Sequence, residues 1–204
     1  MEFSQVIAAR RTIRDFAQQR VPEEIILKAL SAGLKAPSYN HLKEWYFILT
    51  EDQAVRRKIT QTETMYSAIT EGMQAAYSDY ETLAKTMYFD AIPKQKRMIL
   101  SAPGLLTVVY KPKTPVEQAS RVYDLNGFAS VWCCVENILL SFAEDSVFGV
   151  TFIPQNTAAV KQALGIPDAY EVACIIPFGY RSDSAKIIPQ KDVALKDVVH
   201  HDTW

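Results

Sequence analysis

The sequence predicts an α+β fold in which a sheet and several helices share one core. Three runs rich in aromatic and β-branched residues indicate strands, while apolar residues that recur every three or four positions indicate helices. The two kinds of segment follow one another without the regular alternation of a doubly wound parallel sheet. With 204 residues, 49% of them hydrophobic, the chain is long enough to bury the core of a single domain, residues 1–204.

The first two helices are predicted from their ends. Phe3–Ala9 forms a short helix that runs directly into an arginine-rich turn. The second helix begins at Val21-Pro22-Glu23-Glu24, because proline in the first turn and acidic residues after it suit the positive end of the helix dipole. It ends at Ala36-Pro37, since the residue before a proline avoids the helical region.

The three predicted strands are short and strongly apolar. They are Glu44–Thr50 (EWYFILT), Leu105–Lys111 (LLTVVYK) and Glu171–Tyr180 (EVACIIPFGY). Because Pro177 cannot donate a ladder hydrogen bond, the last strand is expected at a sheet edge or at a bulge.

Four further helices are predicted from the spacing of apolar residues. The two longest are a continuous helix from Met65 to Tyr88 and a helix from Val122 to Ala143. The second of these is apolar on most sides, so it is expected at the centre of the core. The other two helices are Asp52–Thr60 and Asn156–Leu164, the latter closed by Gly165.

The charge balance excludes several classes of partner. The 22 Lys and Arg residues face 23 Asp and Glu residues, which leaves a net charge of -1. Nothing global therefore recruits nucleic acid or an anionic membrane, and any anion site must be local. No apolar stretch suits a signal peptide or a bilayer span, which predicts a cytoplasmic protein with no membrane partner.

Several familiar catalytic and cofactor motifs are absent. The seven glycines never form GxG, and neither a GK[ST] phosphate loop nor HExxH occurs, which argues against Rossmann, Walker and zincin sites. The only histidines are His41, His200 and His201, and the three cysteines lack metal or disulfide spacing. A histidine-based triad or a metal centre is therefore not expected.

A basic turn is the strongest candidate for an anion site. Arg10, Arg11 and Arg14 place three guanidinium groups within five residues, and Thr12 adds a hydroxyl between them. Guanidinium groups carry a fixed charge and paired donors that match phosphate oxygens. Taken alone, the same pattern is also typical of a solvated basic helix end.

A second candidate lies in the loop between the second helix and the first strand. Ser38, Asn40 and His41 offer donors and acceptors for the edge of a heteroaromatic ring, and Tyr39 offers a flat face. The same residues also suit ordinary turn chemistry. Trp45, just beyond the loop, is expected in the core.

The order of these motifs resembles the nitroreductase family of flavin enzymes. RRTIRDF is similar to that family's RRSxRxF, and APSYNHLKEWYF is similar to its APSxxNxQPWxF, with Lys43-Glu44 in place of Gln-Pro. The resemblance continues through EDSVFGVTFIP, LGIP, FGY and the closing VVHHDTW, so it spans nearly the whole chain.

The resemblance implies a homodimer with bound FMN, a mostly antiparallel sheet wrapped by helices, and a C-terminal extension (residues 181–204) that crosses to the partner subunit. It implies that the arginine turn holds the phosphate and ribityl chain, with a second phosphate contact from Lys186 or Lys191. The loop before the first strand would reach the ring from the other subunit, and two residues after the glycine turn would cover the reactive centre. The implied cofactor-binding residues are Arg10, Arg11, Thr12, Arg14, Pro37, Ser38, Tyr39, Asn40, His41, Ile153, Pro154, Lys186 and Lys191.

The implied activity is electron transfer from NAD(P)H to a small-molecule acceptor such as a nitroaromatic or a quinone. Flavin carries that chemistry, so no catalytic acid, base or nucleophile is expected from the protein. Alternatives are a family member of other chemistry (dehydrogenase, dehalogenase or flavin-fragmenting enzyme) or a low-turnover flavin protein for sensing or storage.

Residues 65–102 suggest a helical lid over the acceptor, although a core helix or dimer interface explains the same spacing. The substrate-pocket residues of that lid are Tyr66, Met73, Tyr77 and Tyr80.

Overall fold

Four strands form one antiparallel sheet in the order β1-β2-β4-β3, in a computed structural model that describes all residues 1–204. The strands are β1 (Trp45–Leu49), β2 (Gly104–Tyr110), β3 (Val147–Gly149) and β4 (Glu171–Tyr180). The three strands predicted from the sequence are confirmed, as is the α+β class. The fourth, β3, has three residues and is too short for an alternating pattern to identify it.

Eight α-helices surround the sheet. They are α1 (Phe3–Ala9), α2 (Glu23–Gly33), α3 (Gln53–Ile59), α4 (Glu71–Ala76), α5 (Thr82–Ala91), α6 (Gln95–Ser101), α7 (Asn126–Glu144) and α8 (Thr157–Leu164). Gly165 ends α8 in the left-handed conformation, with φ of 66°, as its position predicted.

The prediction of one continuous helix from Met65 to Tyr88 is wrong. Helix α4 ends at Ala76, α5 begins at Thr82, and the chain turns between them. Ser78 and Asp79 in that turn favour non-helical backbone, because their side chains compete for backbone hydrogen bonds. The Lys85 ammonium donates to the Ser78 carbonyl at 2.9 Å and so satisfies an acceptor that the break leaves open.

The core lies on both faces of the sheet. Alternate residues of β2 and β4 point to opposite sides, so Leu106 and Ile176 join one buried cluster while Leu105 and Ile175 join the other. The first cluster includes Ile138 of α7, and the second includes Val160 of α8. The sheet is therefore covered by helices on both sides.

Helix α7 is central, as predicted, but only one side of it is buried within the chain. Val131, Val135 and Ile138 are buried on that side. By length and composition alone, the segment from Val122 to Glu144 could cross a membrane, a test that core helices of soluble folds also pass. Its outer side carries the exposed residues Val122 (86% exposed) and Ala129.

Of the two expectations for β4, the sheet edge is wrong, since β4 lies between β2 and β3. The strand does contain a bulge, because its register against β2 shifts between Val108 and Val109, but the extra residue is Ala173 and not Pro177. Pro177 is tolerated because strand β3 stops at Gly149, which is paired with Phe178. The Pro177 carbonyl accepts from Val150 N at 3.3 Å, so the side of Pro177 without an N–H faces the end of β3 rather than β2. The missing N–H of Pro177 therefore lies where the regular ladder is interrupted, between the end of β3 and the bridge from Phe152 to Ile175.

Candidate functional site

The arginine turn is fixed along the end of the sheet. Thr12 forms a parallel bridge with Gly149, and Ile13 N donates to the Gly149 carbonyl at 3.4 Å. Farther on, Phe16 pairs with Arg181, which follows β4. Since Ile13 is 1% exposed, its buried side chain anchors the turn while the flanking polar side chains remain available for binding.

A cavity of about 390 Å³ lies between this turn, helix α5 and the C-terminal extension. The turn contributes Arg11, Thr12 and Arg14, so three of the four predicted phosphate residues of the turn meet here. The other walls are formed by Glu81, Leu83, Ala84, Met87, Ile188, Pro189, Gln190 and Lys191. The cavity therefore combines a cationic floor with apolar walls.

The two arginines that line this cavity each have a guanidinium atom without a partner. Arg11 Nη1 and Arg14 Nε are both buried and neither donates a hydrogen bond within the protein. A buried donor without an acceptor is costly, and a charged one more so. Burial lowers the pKa of Arg14 and the adjacent Asp90 opposes that shift, yet a guanidinium remains charged throughout the neutral range. These donors fit a phosphate group.

Arg10 lies apart from the other residues of the turn. Its Nε is 3.2 Å from Glu136 Oε1 on α7, so its charge already has a partner. It lines a second cavity of about 220 Å³, which also contains Trp132, Phe148 and Thr151. Arg11 and Thr12 line both cavities, so a ligand held at the turn has room to extend from one to the other.

The structure distinguishes the two candidate lysines of the C-terminal extension. Lys191 lines the first cavity, where its Nζ lies 2.9 Å and 3.1 Å from the two carboxylate oxygens of Glu81. Lys186 makes no ion pair and does not line that cavity. Lys191 is therefore the residue placed to reach an anion there.

Ile153 and Pro154 come, in sequence, shortly after the last residue that lines the second cavity. Ile153 is 52% exposed, whereas Pro154 is buried. Phe152, just before them, is bridged to Ile175 of β4, which fixes the segment on the sheet. Gln155 N donates to Glu63 Oε1 at 3.0 Å, so the backbone on the far side is held by a residue that precedes α4.

The loop that contains Pro37 and Ser38 has an unusual backbone. Asn40, His41 and Lys43 adopt positive φ values of 50°, 55° and 46°. This conformation is strained for residues other than glycine, and such strain concentrates at binding sites. Tyr39 holds the loop against α7, since its N–H donates to Ser130 Oγ at 3.0 Å.

This loop does not meet the arginine turn within one chain. Ser38 and Tyr39 line a third cavity of about 250 Å³ beside Gly127 and Ser130, near the start of α7. That cavity shares no residue with the two at the arginine turn. The two halves of the predicted flavin site are therefore separate in the monomer, which is the arrangement expected if the loop serves a partner subunit.

The residues predicted for the acceptor pocket lie on the surface. Tyr77 stacks on Tyr88 with ring centroids 4.8 Å apart, and Tyr80 packs edge-on against Tyr77 at 4.9 Å. Tyr66 is 43% exposed, and Met73 is only partly buried. No residue from 65 to 88 is buried, so the core-helix interpretation does not hold within one chain. None of these four lines the cavities at the turn, whose α5 wall includes Leu83.

Sequence reasoning missed two residues, Asp90 and Lys94, that are connected to the arginine turn. Asp90 accepts from Arg14 Nη1 at 3.3 Å, and Lys94 lies 2.6 Å from Asp90. Lys94 also lies 2.5 Å from Asp15, which immediately follows Arg14. Asp90 and Lys94 have the spacing of a helical ion pair, but no local signal connects either to a turn 76 residues earlier.

The chain is similar to known proteins in both sequence and fold. The model of the Nitroreductase family matches residues 7–180. An iodotyrosine deiodinase of Thermotoga neapolitana is 22% identical over 188 residues, which cover 92% of each chain. A putative NADH dehydrogenase/NAD(P)H nitroreductase of Archaeoglobus fulgidus is 25% identical over 207 residues, covering 100% of this chain and 99% of the relative. The crystal structure of an oxidized iodotyrosine deiodinase bound to FMN and 3-iodo-L-tyrosine has a similar fold, with a TM-score of 0.76, 22% identity, and coverage of 99% and 100%.

Proposed function

The chain belongs to the nitroreductase family, and we propose that it is an FMN-dependent oxidoreductase that transfers electrons from NAD(P)H to a small electron-poor acceptor. One observation carries the proposal: Arg11 and Arg14 line a cavity large enough for a phosphate, and each has a buried guanidinium atom, Arg11 Nη1 and Arg14 Nε, without a partner. Bound FMN supplies the hydride chemistry, which is why the chain needs no catalytic triad.

The protein's part in this function is to bind and orient the flavin. Arg11, Thr12 and Arg14 hold the phosphate, and Lys191 adds a contact from the C-terminal extension. The second cavity, which Thr151 and Arg10 line, leaves room for the ring system, and Ile153 follows two residues after Thr151. Trp132 and Phe148 provide apolar surface in that cavity and would shield a bound ring from water.

We also propose that the functional form is a homodimer. Val122, just before α7, and Ala129 on the outer side of α7 are exposed, and the C-terminal extension exposes Leu195 (77%) and Trp204 (101%). Exposed apolar surface of this extent is typical of an interface. Dimerisation would cover it and would bring the loop with Ser38, Tyr39 and Asn40 of one chain to the flavin ring held by the other.

The acceptor is proposed as a nitroaromatic or a quinone. A second candidate is reductive dehalogenation of a halogenated aromatic compound, which is supported by relatives named iodotyrosine deiodinase. Dehydrogenase or flavin-fragmenting chemistry and a low-turnover storage role are the remaining alternatives.

We also propose that the protein is cytoplasmic and has no nucleic-acid or membrane partners. Its near-neutral charge of -1 supports the absence of such partners.

The visible absorption spectrum of the purified protein tests the flavin proposal. We expect bound flavin, released on denaturation as FMN, and bleaching of its absorption by NADH or NADPH. Re-oxidation with a nitroaromatic, a quinone and 3-iodotyrosine, each assayed for turnover, then separates the candidate reactions. A colourless protein that takes up no FMN would refute the proposal, and flavin that NAD(P)H cannot reduce would favour the storage role.

A further inference from the structure

A chain of five charged side chains joins the arginine turn to the helices that cover it. Arg14 Nη1 donates to Asp90, at the end of α5, and Asp90 is bound by Lys94 at 2.6 Å. Lys94 also lies 2.5 Å from Asp15, whose other oxygen accepts from Arg97. Cations and anions thus alternate from Arg14 to Arg97, with Lys94 in the middle.

Lys94 separates two carboxylates that would otherwise repel each other. Two oxygens held 2.5 Å and 2.6 Å from one nitrogen cannot be more than about 5.1 Å apart. The Asp90 side chain is 7% exposed and that of Asp15 is 16% exposed, so water and salt screen this repulsion poorly. Without Lys94, both negative charges would also act on Arg14 and on any anion beside it.

The charge available to a phosphate depends on this arrangement. Around the turn, four cations face two anions: Arg11, Arg14, Lys94, Arg97, Asp15 and Asp90. Two positive charges therefore remain, which match the charge of about −1.5 to −2 on a phosphate monoester at pH 7. If the charge of Lys94 is removed, only one net positive charge remains.

We propose that Lys94 is a positioning residue for the flavin phosphate, which keeps Arg14 available by neutralising Asp15 and Asp90 without touching the phosphate itself. The inference rests on the proposed FMN site. Lys94 does not line the phosphate cavity, so it acts through its neighbours. Burial opposes its charged form, but hydrogen bonds to Asp15 and Asp90 outweigh this effect and raise the pKa of Lys94. The ammonium is therefore charged at neutral pH.

The test compares FMN with riboflavin, which has the same ring and ribityl chain but no phosphate. Dissociation constants for both are measured by quenching of flavin fluorescence in the wild type and in Lys94→Met, Lys94→Arg, Asp15→Asn and Asp15→Asn/Lys94→Met. Lys96→Met is the matched control, because it removes an exposed lysine only two residues farther along the chain, at the start of α6, that has no ion pair.

We expect Lys94→Met to weaken FMN about tenfold and Asp15→Asn to tighten it about threefold, with riboflavin unchanged in both. Lys94→Arg should keep the wild-type preference, the double variant should recover most of the loss, and Lys96→Met should have no effect. A merely structural role predicts a different result, in which both single variants weaken FMN and riboflavin together.

The results distinguish a failure of the proposed role of Lys94 from a failure of the proposed FMN site. If the wild type binds neither flavin, the proposed function fails. If the wild type prefers FMN and Lys94→Met keeps that preference, only the inference is overturned. Should Lys94→Met fail to fold, Asp15→Asn decides alone, because unchanged or weaker FMN binding in that variant contradicts the charge argument.

Discussion

Arg11 and Arg14, whose guanidinium groups each have one buried atom without a partner, are expected to set the affinity of the proposed site. Replacing both Arg11 and Arg14 with alanine removes two charge-assisted contacts, and each should cost about 1.5 to 3 kcal/mol of FMN binding. Riboflavin binding should change little, because it lacks the phosphate. Titration of the apoprotein with each flavin measures both constants.

Arg20→Ala serves as the control for this experiment, since the Arg20 side chain is 85% exposed and pairs only distantly with Glu51 at 3.8 Å. It removes one positive charge from the same region of sequence without touching the turn, so FMN affinity should stay within about twofold of the wild type. Equal losses in the control and in the double variant would indicate a general charge effect rather than a phosphate site.

The sequence predicted these arginines because three of them fall within five residues, and a local density of charge is visible without a structure. It could not show that Arg10 turns away to Glu136, because that depends on the position of α7. Nor could it connect Asp90 and Lys94 to Arg14, since only tertiary packing brings them together.

The cysteines provide a second prediction at this scale. Burial raises the pKa of Cys134 and of Cys174 to about 12, and thiolates are the reactive form. Both thiols therefore stay protonated and inaccessible up to pH 9, whereas Cys133 is exposed. An aromatic disulfide reagent should modify no more than one thiol per chain in the native protein and all three after unfolding. Two or more fast-reacting native thiols would contradict the packing described here.

At the scale of elements, helix α5 and the C-terminal extension meet at one ion pair beside the phosphate cavity. Glu81 and Lys191 are 68% and 63% exposed, so the pair contributes little to stability. Glu81→Gln should release Lys191 toward the phosphate and tighten FMN by about two- to fivefold, with the melting temperature nearly unchanged. Isothermal titration and thermal unfolding measure these two effects.

Glu71→Gln, an exposed change on α4, controls for the loss of negative charge. Tighter FMN binding in both variants would exclude a specific role for Glu81.

Strand β3 holds the arginine turn against the sheet, and Gly149 is where the two meet. A Cβ atom at this position would lie 2.9 Å from Ile176 Cγ2 and 3.2 Å from the Pro177 carbonyl oxygen. Gly149→Ala should therefore destabilise the protein by about 1 to 3 kcal/mol and weaken FMN binding as the turn shifts. Urea unfolding of the apoprotein gives the stability change.

Gly72→Ala is the control, because a Cβ there meets only Thr70 Oγ1, at 3.9 Å. Alanine is the better helix former by about 0.5 to 1 kcal/mol, so this change should be neutral or stabilising. If Gly149→Ala is as well tolerated as Gly72→Ala, the close contact between turn and sheet is not what orders the site.

The sequence predicted elements well where each had its own pattern or its own end signals. The proline and acids of α2, the glycine after α8 and the β-branched run of β4 are local features. Strand β3 has no such feature, and its three residues are ordered by pairing with β4. The break between α4 and α5 was hidden because apolar spacing continues across Tyr77 and Tyr80, which pack against each other at the surface.

For the whole molecule, the separation of the two candidate flavin regions is the most informative feature. The arginine turn and the loop around Tyr39 line cavities with no residue in common. The order of motifs along the sequence did not show this separation, because residues 10–14 and 37–41 are close in sequence and only the fold sets them at different parts of α7. If one site is assembled from both regions, we therefore expect it to draw on two chains.

Complementation between two defective variants tests that arrangement. One variant carries Arg11→Ala and Arg14→Ala, and the other carries Tyr39→Ala and Asn40→Ala. Each homodimer should bind flavin poorly, because every one of its sites contains one damaged half. A mixed dimer, however, combines both damaged halves in one site and both intact halves in the other.

Refolding the two variants together, with different affinity tags to purify the mixed dimer, should therefore restore one high-affinity FMN per dimer. The number of bound flavins is counted from the flavin absorption per mole of protein. Separately refolded and then briefly mixed homodimers are the control. If the mixed dimer binds no more flavin than its parents, both halves of the site come from the same chain, and the two cavities cannot be parts of a shared intersubunit site.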